Sequence, residues 1–393
     1  MNEVIITDID NQGRGIGRLN NKVIFIENAY LDEVVKVKIK KETNNYLEGE
    51  VIEYVKKSPL RIKEACKYNC GGCHLQHLSY ENQLQFKENN IQKIIDKFTN
   101  LNITVNKIIP SNNIYNYRNK ITLHVDGKIG LYKAKTNSII EIDNCLLVNQ
   151  KINSIIKELK ELKFNHKDEI IIREANNETM VSLNHYVKGI EELDADTILC
   201  NNKVIKGKGY IKEKINQYEF IISNQSFFQV NKNQTINLYE KVLEYAELTG
   251  NENVLDLYCG TGTIGIYLSK KAKKVLGVEI NKDAIKDANK NKEINKINNI
   301  EFICGDAKKV IKENNFKTDI LILDPPRSGL FKGMIEDINK INPKKIIYVS
   351  CNPITLARDL EQLRETYNIN QIQPIDMFPN TYHCESVTVL ERK

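Results

Sequence analysis

Three residues that could perform nucleophilic or acid–base chemistry stand at the ends of apolar runs. Asp324 follows ILIL in LDPPRSG, Cys351 follows IIYVS, and Glu385 precedes SVTVL near the end of the printed chain. A thiolate is a strong nucleophile, and a carboxylate can act as a general base. Most cysteines are inert core residues, but Cys351 stands on a sharp Ser-Cys-Asn-Pro turn. These residues therefore form the candidate catalytic set, with Cys351 as the nucleophile.

A second set of residues surrounds a glycine turn. The stretch VLDLYCGTGTIGIYL predicts a strand, a turn at Gly260 and Gly262, and the start of a helix. Its D-x-x-x-G-x-G spacing from Asp256 resembles the first motif of Rossmann-like methyltransferases rather than the G-x-G-x-x-G of dinucleotide-binding enzymes. Glu279 ends the next apolar run, where it could accept hydrogen bonds from both ribose hydroxyls. Asp306, in CGDA, is placed to meet an adenine edge. Together they predict S-adenosylmethionine, rather than a nicotinamide, as the cofactor.

The thiol of Cys351 narrows the range of methyl acceptors. A D-P-P sequence also occurs in enzymes that methylate exocyclic amines, so Asp324 alone leaves that alternative open. Carbon 5 of uracil is too weak a nucleophile to take a methyl group directly. Addition of a thiolate at carbon 6 would make carbon 5 nucleophilic, and a base would then have to remove the carbon 5 proton. Cys351 and Glu385 fit these two roles.

The elements that would position these residues alternate regularly. From Asn224 onward the apolar runs are separated by charged, helix-like stretches; the runs are VLDLY, VLGVEI, IEFICGD, DILILD, KKIIYVS and SVTVLER. This alternation predicts a parallel sheet with helices on both faces. Ligands bind at the carboxyl ends of the strands in such sheets, so Asp324 and Cys351 are expected to face the cofactor crevice. Residues 224–393 are therefore predicted as the catalytic domain.

Two further domains are predicted before the catalytic domain. The predicted fold class is therefore α/β, with an N-terminal β-barrel and a central mixed α+β domain. Residues 1–60 show short strands and turns around QGRGIGR, a pattern typical of a small closed barrel of the oligonucleotide-binding (OB) type. The stretch from Lys36 to Lys63 holds eight Lys or Arg against four Glu. Such a stretch suits either a phosphate-contacting face or solvated strand edges. Residues 61–223 mix strand patterns such as YRNKITLHV with helix patterns such as NSIIKELKEL, which predicts a central mixed α+β domain.

The motifs together resemble the RNA uracil-5-methyltransferases, and most of all the branch that acts on 23S ribosomal RNA. The resemblance covers nearly the whole chain, through FFQVN, DLYCGTG, LDPPRSG, SCNP and a terminal H-x-E-S. It implies a C-terminal Rossmann-like methyltransferase domain and an N-terminal TRAM barrel. It also implies RNA, first of all 23S ribosomal RNA, as the partner; no obligate protein partner is inferred. By the resemblance, Cys351 is the nucleophile, Glu385 is the base, and Phe227 could stack on a base. The cofactor-site positions that it implies are Gln229, Tyr258, Glu279 and Asp324.

Four cysteines outside the catalytic set have the spacing of metal ligands. Cys66, Cys70 and Cys73 form C-x3-C-x2-C, and Cys145 follows much later in IDNCLLVN. Three close thiolates and a remote one can hold a [4Fe–4S] cluster. The resemblance supports that cofactor, because related enzymes carry such a cluster with a similarly distant fourth cysteine. The family pattern has five residues between the first two cysteines, whereas this chain has three.

Two alternatives to that cluster follow from the same residues. C-x3-C-x2-C is also the signature of radical-SAM enzymes, but their barrel needs about 200 residues of repeated βα units, and residues 74–220 do not show them. Cys145 would also have no role there. Zinc is the other alternative, because His74 and His77 lie beside Cys73.

Composition gives weaker indications of the cellular location and of the kind of binding partner than the motifs give of the chemistry. The start, MNEVIITDIDNQG, lacks the basic flank and apolar core of a signal peptide, and no run is long enough to cross a membrane. A cytoplasmic protein is therefore expected. A net charge of +6 permits a polyanionic partner without requiring one. The alternatives that remain are a transfer RNA uracil-5-methyltransferase, an RNA methyltransferase acting on an exocyclic amine, and a non-catalytic RNA-binding or assembly factor.

Overall fold

The computed structural model describes residues 2–224, 226–313 and 316–393. At its N-terminal end is a barrel whose strands are β1 Asn2–Ile5, β2 Asp8–Ile9, β3 Gly15–Leu19, β4 Lys22–Glu27, β5 Val34–Glu42 and β6 Tyr46–Lys56. Their order is β1-β5-β6-β4-β3-β2. Because β1 and β2 follow each other along the chain and pair with opposite edges of the sheet, they close it into a barrel. The inward residues of these strands, such as Ile24 and Val35, form the core of the barrel.

The central region is built on a mainly antiparallel sheet. Its helices are α1 Tyr80–Phe98 and α2 Gln150–Lys160, and its strands are β7 Lys120–Val125, β8 Ile129–Tyr132, β9 Ile139–Glu141, β10 Asp168–Ala175, β11 Glu178–Leu183, β12 Thr197–Cys200, β13 Lys203–Lys206, β14 Tyr210–Ile215 and β15 Tyr218–Ser223. The sheet has the order β13-β12-β11-β10-β7-β8-β9, and β14 and β15 form a separate hairpin. This arrangement has no resemblance to the βα repeats of a radical-SAM barrel.

The C-terminal region is a doubly wound sheet. Its elements are α3 Lys232–Ala246, β16 Asn253–Leu257, α4 Thr263–Ser269, β17 Lys274–Glu279, α5 Lys282–Ile294, β18 Ile300–Cys304, α6 Ala307–Glu313, β19 Ile320–Leu323, α7 Met334–Ile341, β20 Lys345–Ser350, α8 Pro353–Leu363, β21 Tyr367–Ile375 and β22 Glu385–Arg392. The order is β18-β17-β16-β19-β20-β22-β21. The strands from β18 to β20 are parallel, and β22 runs antiparallel to both of its neighbours. The predicted parallel α/β sheet is therefore confirmed.

Two features of this region go beyond the sequence prediction. The edge strand β21 was not predicted, because YNINQIQPI is rich in Asn and Gln and contains a proline. Helix α1 packs its buried face, which includes Ile91 and Ile95, into the same core as Leu356 and Leu360 of α8. The helix that follows the cysteine segment thus packs into the core of the C-terminal region. No described helix is both long and apolar enough to cross a membrane.

Candidate active site

The turn after β16 lines a crevice at the point where the strand order reverses. Strand β16 pairs with β17 on one side and with β19 on the other, so the carboxyl ends of these strands diverge around an opening. A Cβ placed at Gly260 would meet nothing within 4 Å, which leaves this face open to a ligand. A Cβ at Gly262 would lie 2.4 Å from the Cζ atom of Phe302. The first glycine therefore leaves room for a ligand, and the second permits close packing.

Tyr258 is held in a strained conformation in this turn. Its φ angle is +64°, in the left-handed region, which costs a bulky residue roughly 1–3 kcal/mol. Its hydroxyl is buried and has no hydrogen-bond partner among the described residues. An orphaned buried donor beside an open crevice fits a position that contacts a ligand.

Glu279 and Asp306 lie at the ends of the next two strands, as predicted. The Glu279 carboxylate accepts hydrogen bonds from the backbone N–H of Gly260, at 3.2 Å, and of Asn281, at 2.8 Å. It does not cap α5, because the side chain of Asn281 does so. Asp306 accepts from the backbone N–H of Lys308 at 2.9 Å, at the start of α6. Both carboxylates are thus fixed by backbone groups at the edge of the crevice.

The Asp256 carboxylate connects the end of β16 to the first turn of α4. It is fully buried, and one carboxylate oxygen accepts from the backbone N–H of Gly265 at 3.0 Å. Burial, and then the charge of Asp324, raises its pKa to about 8. This position is structural, because its bond holds the first turn of α4 against the end of β16.

Cys351 and Glu385 leave the β20–β22 ladder at the same end. The last pair of that ladder is Ser350 with Ser386. Cys351, the residue after β20, and Glu385, the first residue of β22, directly flank this pair, and the charge of Glu385 acts on the Cys351 thiol. Beyond Cys351, Asn352 caps α8 through the backbone N–H of Ile354 at 3.1 Å, which fixes the turn. The predicted nucleophile and base are therefore neighbours.

Burial and the charges of neighbouring groups raise the pKa values of the candidate catalytic groups. Burial, and then the charge of Asp324, raises the pKa of Glu385 to about 8. Burial alone raises the pKa of Asp324 to about 7. Burial raises the pKa of the Cys351 thiol to about 11, and the charges of Glu385 and Asp324 add to the effect. The site therefore resists carrying all three negative charges at once.

Arg327 is a site residue to which the sequence analysis gave no role. Its guanidinium opposes the rise in pKa of both Cys351 and Glu385. Its carbonyl accepts from the Asn352 side-chain amide at 2.9 Å, which links the loop after β19 to the turn after β20. The signal was present in LDPPRSG, where the arginine directly follows the two prolines.

A cavity of about 200 Å³ opens onto Cys351. Its walls come from the barrel, from α1 and from the C-terminal region; they include Asn11, Gln12, Lys87, Asn90, Arg327, Tyr382 and His383. Burial, followed by the charge of Arg327, lowers the pKa of His383 to about 3, so this imidazole is neutral at physiological pH. We call this space the Cys351 cavity. The sequence analysis did not foresee that the barrel would reach it.

Gln229 and Phe227 lie in the segment that enters α3. Gln229 is buried, and its carbonyl accepts from the Asn119 side-chain amide at 3.2 Å. Phe227 is 70% exposed, which leaves its ring accessible for stacking. Gln225, the first residue of the QSFFQVN motif, lies outside the described residues.

Cys66, Cys70, Cys73 and Cys145 line one cavity of about 310 Å³ in the central region. Burial raises the pKa values of Cys70, Cys73 and Cys145, and in each case the charge of the Cys66 thiolate adds to the effect. Arg118 lines the same cavity and opposes the shift at Cys73 and Cys145. The structure therefore brings together the four cysteines that the sequence singled out, beside a positive charge.

A single-ion site is not found in the described part of the chain. No group of three or more His, Cys, Asp and Glu side chains within residues 2–224, 226–313 and 316–393 could hold one metal ion. Of the two histidines considered for zinc, His77 is fully buried and packs edge-on against Tyr30 of the barrel. His74 packs on Tyr382, with ring centroids 4.6 Å apart.

Two family models match the chain. The model described as tRNA (Uracil-5-)-methyltransferase matches residues 172–393, and the TRAM domain model matches residues 2–52. A Clostridium tetani protein described as an uncharacterized RNA methyltransferase is 37% identical, over 98% of this chain and 95% of its own length. A protein of Caldanaerobacter subterraneus with a similar description is 38% identical, over 99% and 98%.

A solved structure is similar over the whole length of the chain. It is the Pyrococcus abyssi tRNA (uracil-54, C5)-methyltransferase in complex with S-adenosyl-L-homocysteine. The TM-score is 0.83 and the identity 31%, with 99% of each chain covered. The similarity extends from the barrel through the cysteine region to the last strand.

Proposed function

We propose that this chain, which belongs to the RNA (uracil-5-)-methyltransferase family, methylates carbon 5 of a uridine through a covalent adduct with Cys351. The family establishes an S-adenosylmethionine-dependent enzyme that acts on RNA. The observation that carries the mechanism is that Cys351 and Glu385 directly flank the Ser350–Ser386 pair at one end of the β20–β22 ladder, close enough for the Glu385 charge to raise the pKa of the thiol. A nucleophile and a base close together are what addition and elimination at adjacent carbons require.

The residues would act in order. The Cys351 sulfur adds to carbon 6 of uracil, and the electrons of the carbon 5–carbon 6 double bond move onto the carbonyl at carbon 4. S-adenosylmethionine, when bound, would supply an electrophilic methyl group to carbon 5; its methyl–sulfur bond would break and S-adenosylhomocysteine would be left. Glu385 removes the carbon 5 proton, the double bond re-forms, and the bond from carbon 6 to sulfur breaks to release Cys351 as a thiolate.

The charges at the site support this assignment. A base is most effective when its pKa lies near the working pH, and burial brings that of Glu385 to about 8. The nucleophile must be a thiolate, and the positive charge of Arg327 opposes the rise in the pKa of the Cys351 thiol that burial, Glu385 and Asp324 cause. We therefore assign Arg327 to stabilising the thiolate before addition and after elimination.

The crevice at the end of β16 fits S-adenosylmethionine. The orphaned hydroxyl of Tyr258 and the open face at Gly260 are the features that call for a ligand. Gln229, Glu279, Asp306 and Asp324 would complete the site. Among these, Asp324 is the link to the chemistry, because its charge raises the pKa of both Glu385 and Cys351.

The four-cysteine cavity supports the proposal of a [4Fe–4S] cluster. Burial and the neighbouring thiols raise the pKa values of Cys70, Cys73 and Cys145, so these thiols need positive charge to become thiolates together, and a cluster would supply it. Cys66, Cys70, Cys73 and Cys145 would hold the cluster, and zinc remains the alternative.

For the acceptor we propose 23S ribosomal RNA, with transfer RNA as a second candidate. The resemblance of the motifs favours the ribosomal branch, in which the barrel and the cysteines occur together. The Pyrococcus abyssi transfer RNA enzyme, similar over 99% of both chains, weakens that argument and favours the second candidate. Mapping of 5-methyluridine in ribosomal and transfer RNA, from cells with and without the gene, separates the two. Loss confined to transfer RNA would overturn the ribosomal assignment.

The mechanism is tested by trapping. RNA containing 5-fluorouridine has no removable proton at carbon 5, so elimination stops and the covalent adduct should accumulate. We expect the wild-type protein to form this adduct and Cys351→Ala to form none. If Cys351→Ala still methylates RNA at the wild-type rate, the acceptor is an exocyclic amine or another group instead.

A further inference from the structure

A second cavity, of about 250 Å³, adjoins the Cys351 cavity. Gln12 and Tyr382 line both, so these two side chains form the wall between them. The other side chains that surround the second cavity include Arg14, Glu27, Asn28, Asn69, His74 and Lys135. We call it the flanking cavity. It lies where the barrel, the cysteine loop and the segment before Glu385 meet.

The walls of the flanking cavity are held by hydrogen bonds. In the barrel loop, one Asp10 oxygen accepts from the backbone N–H groups of Gln12 and Arg14, and the other accepts from the Arg14 side chain at 2.7 Å. In the cysteine loop, the backbone N–H of His74 donates to the carbonyl of Asn380 at 2.8 Å. Three segments remote in sequence are thus fixed before any ligand arrives, which reduces the entropy lost on binding.

Aromatic rings connect the flanking cavity to the Cys351 cavity. The rings of His74 and Tyr382 are 4.6 Å apart, and those of Tyr382 and His383 are 4.1 Å apart. His74 lines the flanking cavity and His383 lines the Cys351 cavity. Ring surfaces in series bind the faces of successive bases in single-stranded nucleic acid.

Several polar groups around the flanking cavity are available to a ligand. Gln12, Asn28 and Asn69 are exposed, and their side-chain amides have no hydrogen bond to the described part of the chain. The Nδ1 atom of His74 is buried and also has no partner there. Amides can donate to and accept from the edge of a base, so these groups are suited to recognising one.

The charges favour a base over a phosphate as the occupant. Arg14 is paired with Asp10, and Lys135 is paired with Glu27 at 2.7 Å. Glu27 itself lines the cavity. Because both cations already face carboxylates, the cavity offers rings and amides rather than excess positive charge.

We propose that the flanking cavity binds the base of a nucleotide adjacent to the target uridine, in a single-stranded part of the RNA. The inference rests on the proposed function, because it is the uridine in the Cys351 cavity that brings its neighbour to Tyr382. The barrel and the cysteine loop then take part in choosing the substrate, through Gln12 and Asn69.

A double-mutant cycle between protein and RNA tests the proposal. The probe is a synthetic RNA hairpin that spans the mapped uridine, intact or with an abasic site at the 5′ or the 3′ neighbour. For the wild-type protein, we expect one of the two abasic sites to weaken binding about tenfold or more. Asn69→Ala should weaken binding of the intact hairpin several-fold, yet add little to the loss caused by that abasic site. The matched control is Asn44→Ala, at an exposed position in the turn between β5 and β6, whose effect should not depend on the abasic site.

A second pair of variants addresses the ring. Tyr382→Phe should bind the intact hairpin as the wild type does, whereas Tyr382→Ala should bind it as weakly as the wild type binds the abasic hairpin. The proposal is overturned if neither abasic site changes affinity, or if the effects of Asn69→Ala and the abasic site simply add. Adduct formation with 5-fluorouridine in the intact hairpin reports on the proposed function separately. If no adduct forms with any RNA, it is the mechanism that fails.

Discussion

The Cys351 site and the four-cysteine cavity are supported by different kinds of backbone. Cys351, Glu385 and Asp324 stand at the ends of strands in one sheet, and the β20–β22 register alone places two of them at the same end of one ladder. Cys66, Cys70 and Cys73 lie on one segment without regular secondary structure, and Cys145 lies on a second one. The backbone N–H of Cys145 donates to the side-chain oxygen of Asn153 in α2 at 2.9 Å. The hydrogen-bonded ladder of a sheet can hold charged groups close together despite their repulsion. The two cysteine segments are held by only a few hydrogen bonds. We therefore expect the first site to keep its shape without a ligand and the second to depend on one.

The largest expected effect is the loss of the nucleophile. Cys351→Ala should reduce methyl transfer on the order of 10⁴-fold or more, since the covalent step has no substitute. Initial rates of methyl incorporation into RNA measure it. Cys200→Ala, at the end of β12 in the central sheet, is the matched control and should retain the wild-type rate. Thermal unfolding should be nearly unchanged in the Cys351 variant, because the ladder and not the thiol maintains the site.

Loss of the base should be almost as severe but should leave the first step intact. Glu385→Gln should lower turnover about 10²- to 10⁴-fold and allow the adduct to accumulate on RNA with ordinary uridine. Removing the carboxylate charge should also lower the pKa of the Cys351 thiol, which the pH dependence of alkylation measures. Glu391→Gln, farther along β22, serves as the control. Turnover without an accumulating adduct in Glu385→Gln would assign proton removal to another residue.

The same substitution should stabilise the fold at alkaline pH. The pKa of Glu385 is about 8 in the folded state and 4.5 in its ordinary state. The folded protein therefore favours the protonated form, and this contribution to stability is complete below pH 4.5 and lost as the pH rises to 8. A glutamine at this position stays neutral and does not lose this contribution. The free energy of unfolding of Glu385→Gln should therefore exceed that of the wild type by about a few kcal/mol at pH 8, as the size of the pKa shift of Glu385 implies. Denaturant unfolding at pH 5 and pH 8 measures the difference, and equal values at pH 8 would contradict it.

A smaller effect on catalysis is expected at the cysteine cavity. Cys73→Ser should lose most of the iron and sulfide of the purified protein and should lower its thermal stability. The rate of methyl transfer should fall only about tenfold, which is the size of effect expected when a residue that positions others is replaced. Cys200→Ser is the control for thiol loss. Zinc in place of iron in the wild-type protein would select the alternative metal. If Cys73→Ser lost as much methyl-transfer activity as Cys351→Ala, the four-cysteine cavity would be as necessary for the reaction as the Cys351 site, which contradicts the prediction.

The sequence predicts the catalytic site better than its surroundings for a physical reason. Apolar runs reveal buried parallel strands, and strand ends must meet at one edge, so Asp324 and Cys351 could be placed together before the fold was known. The antiparallel position of β22 could not be read from periodicity, because register depends on the whole sheet. That Gln12 and Tyr382 line the same two cavities could not be predicted either, because residues of different domains that come together show no periodic pattern in the sequence. Strand β21 was missed because its polar residues lie at a sheet edge.

The smallest effect is expected at Tyr258, on the cofactor side of the strand-end site. Its hydroxyl is buried without a partner in the described ranges of the chain, so Tyr258→Phe removes no hydrogen bond to those residues and should leave thermal unfolding unchanged or slightly improved. If the hydroxyl bonds to S-adenosylmethionine, its loss should weaken cofactor binding several-fold, as expected for one hydrogen bond of about 1 kcal/mol. Calorimetric titration with S-adenosylhomocysteine measures this. Tyr239→Phe is the matched control, because the Tyr239 hydroxyl donates to Thr263 at 2.7 Å and should affect stability rather than binding. Unchanged affinity in Tyr258→Phe would mean that the strained backbone at this position, and not the hydroxyl, is what the cofactor site requires.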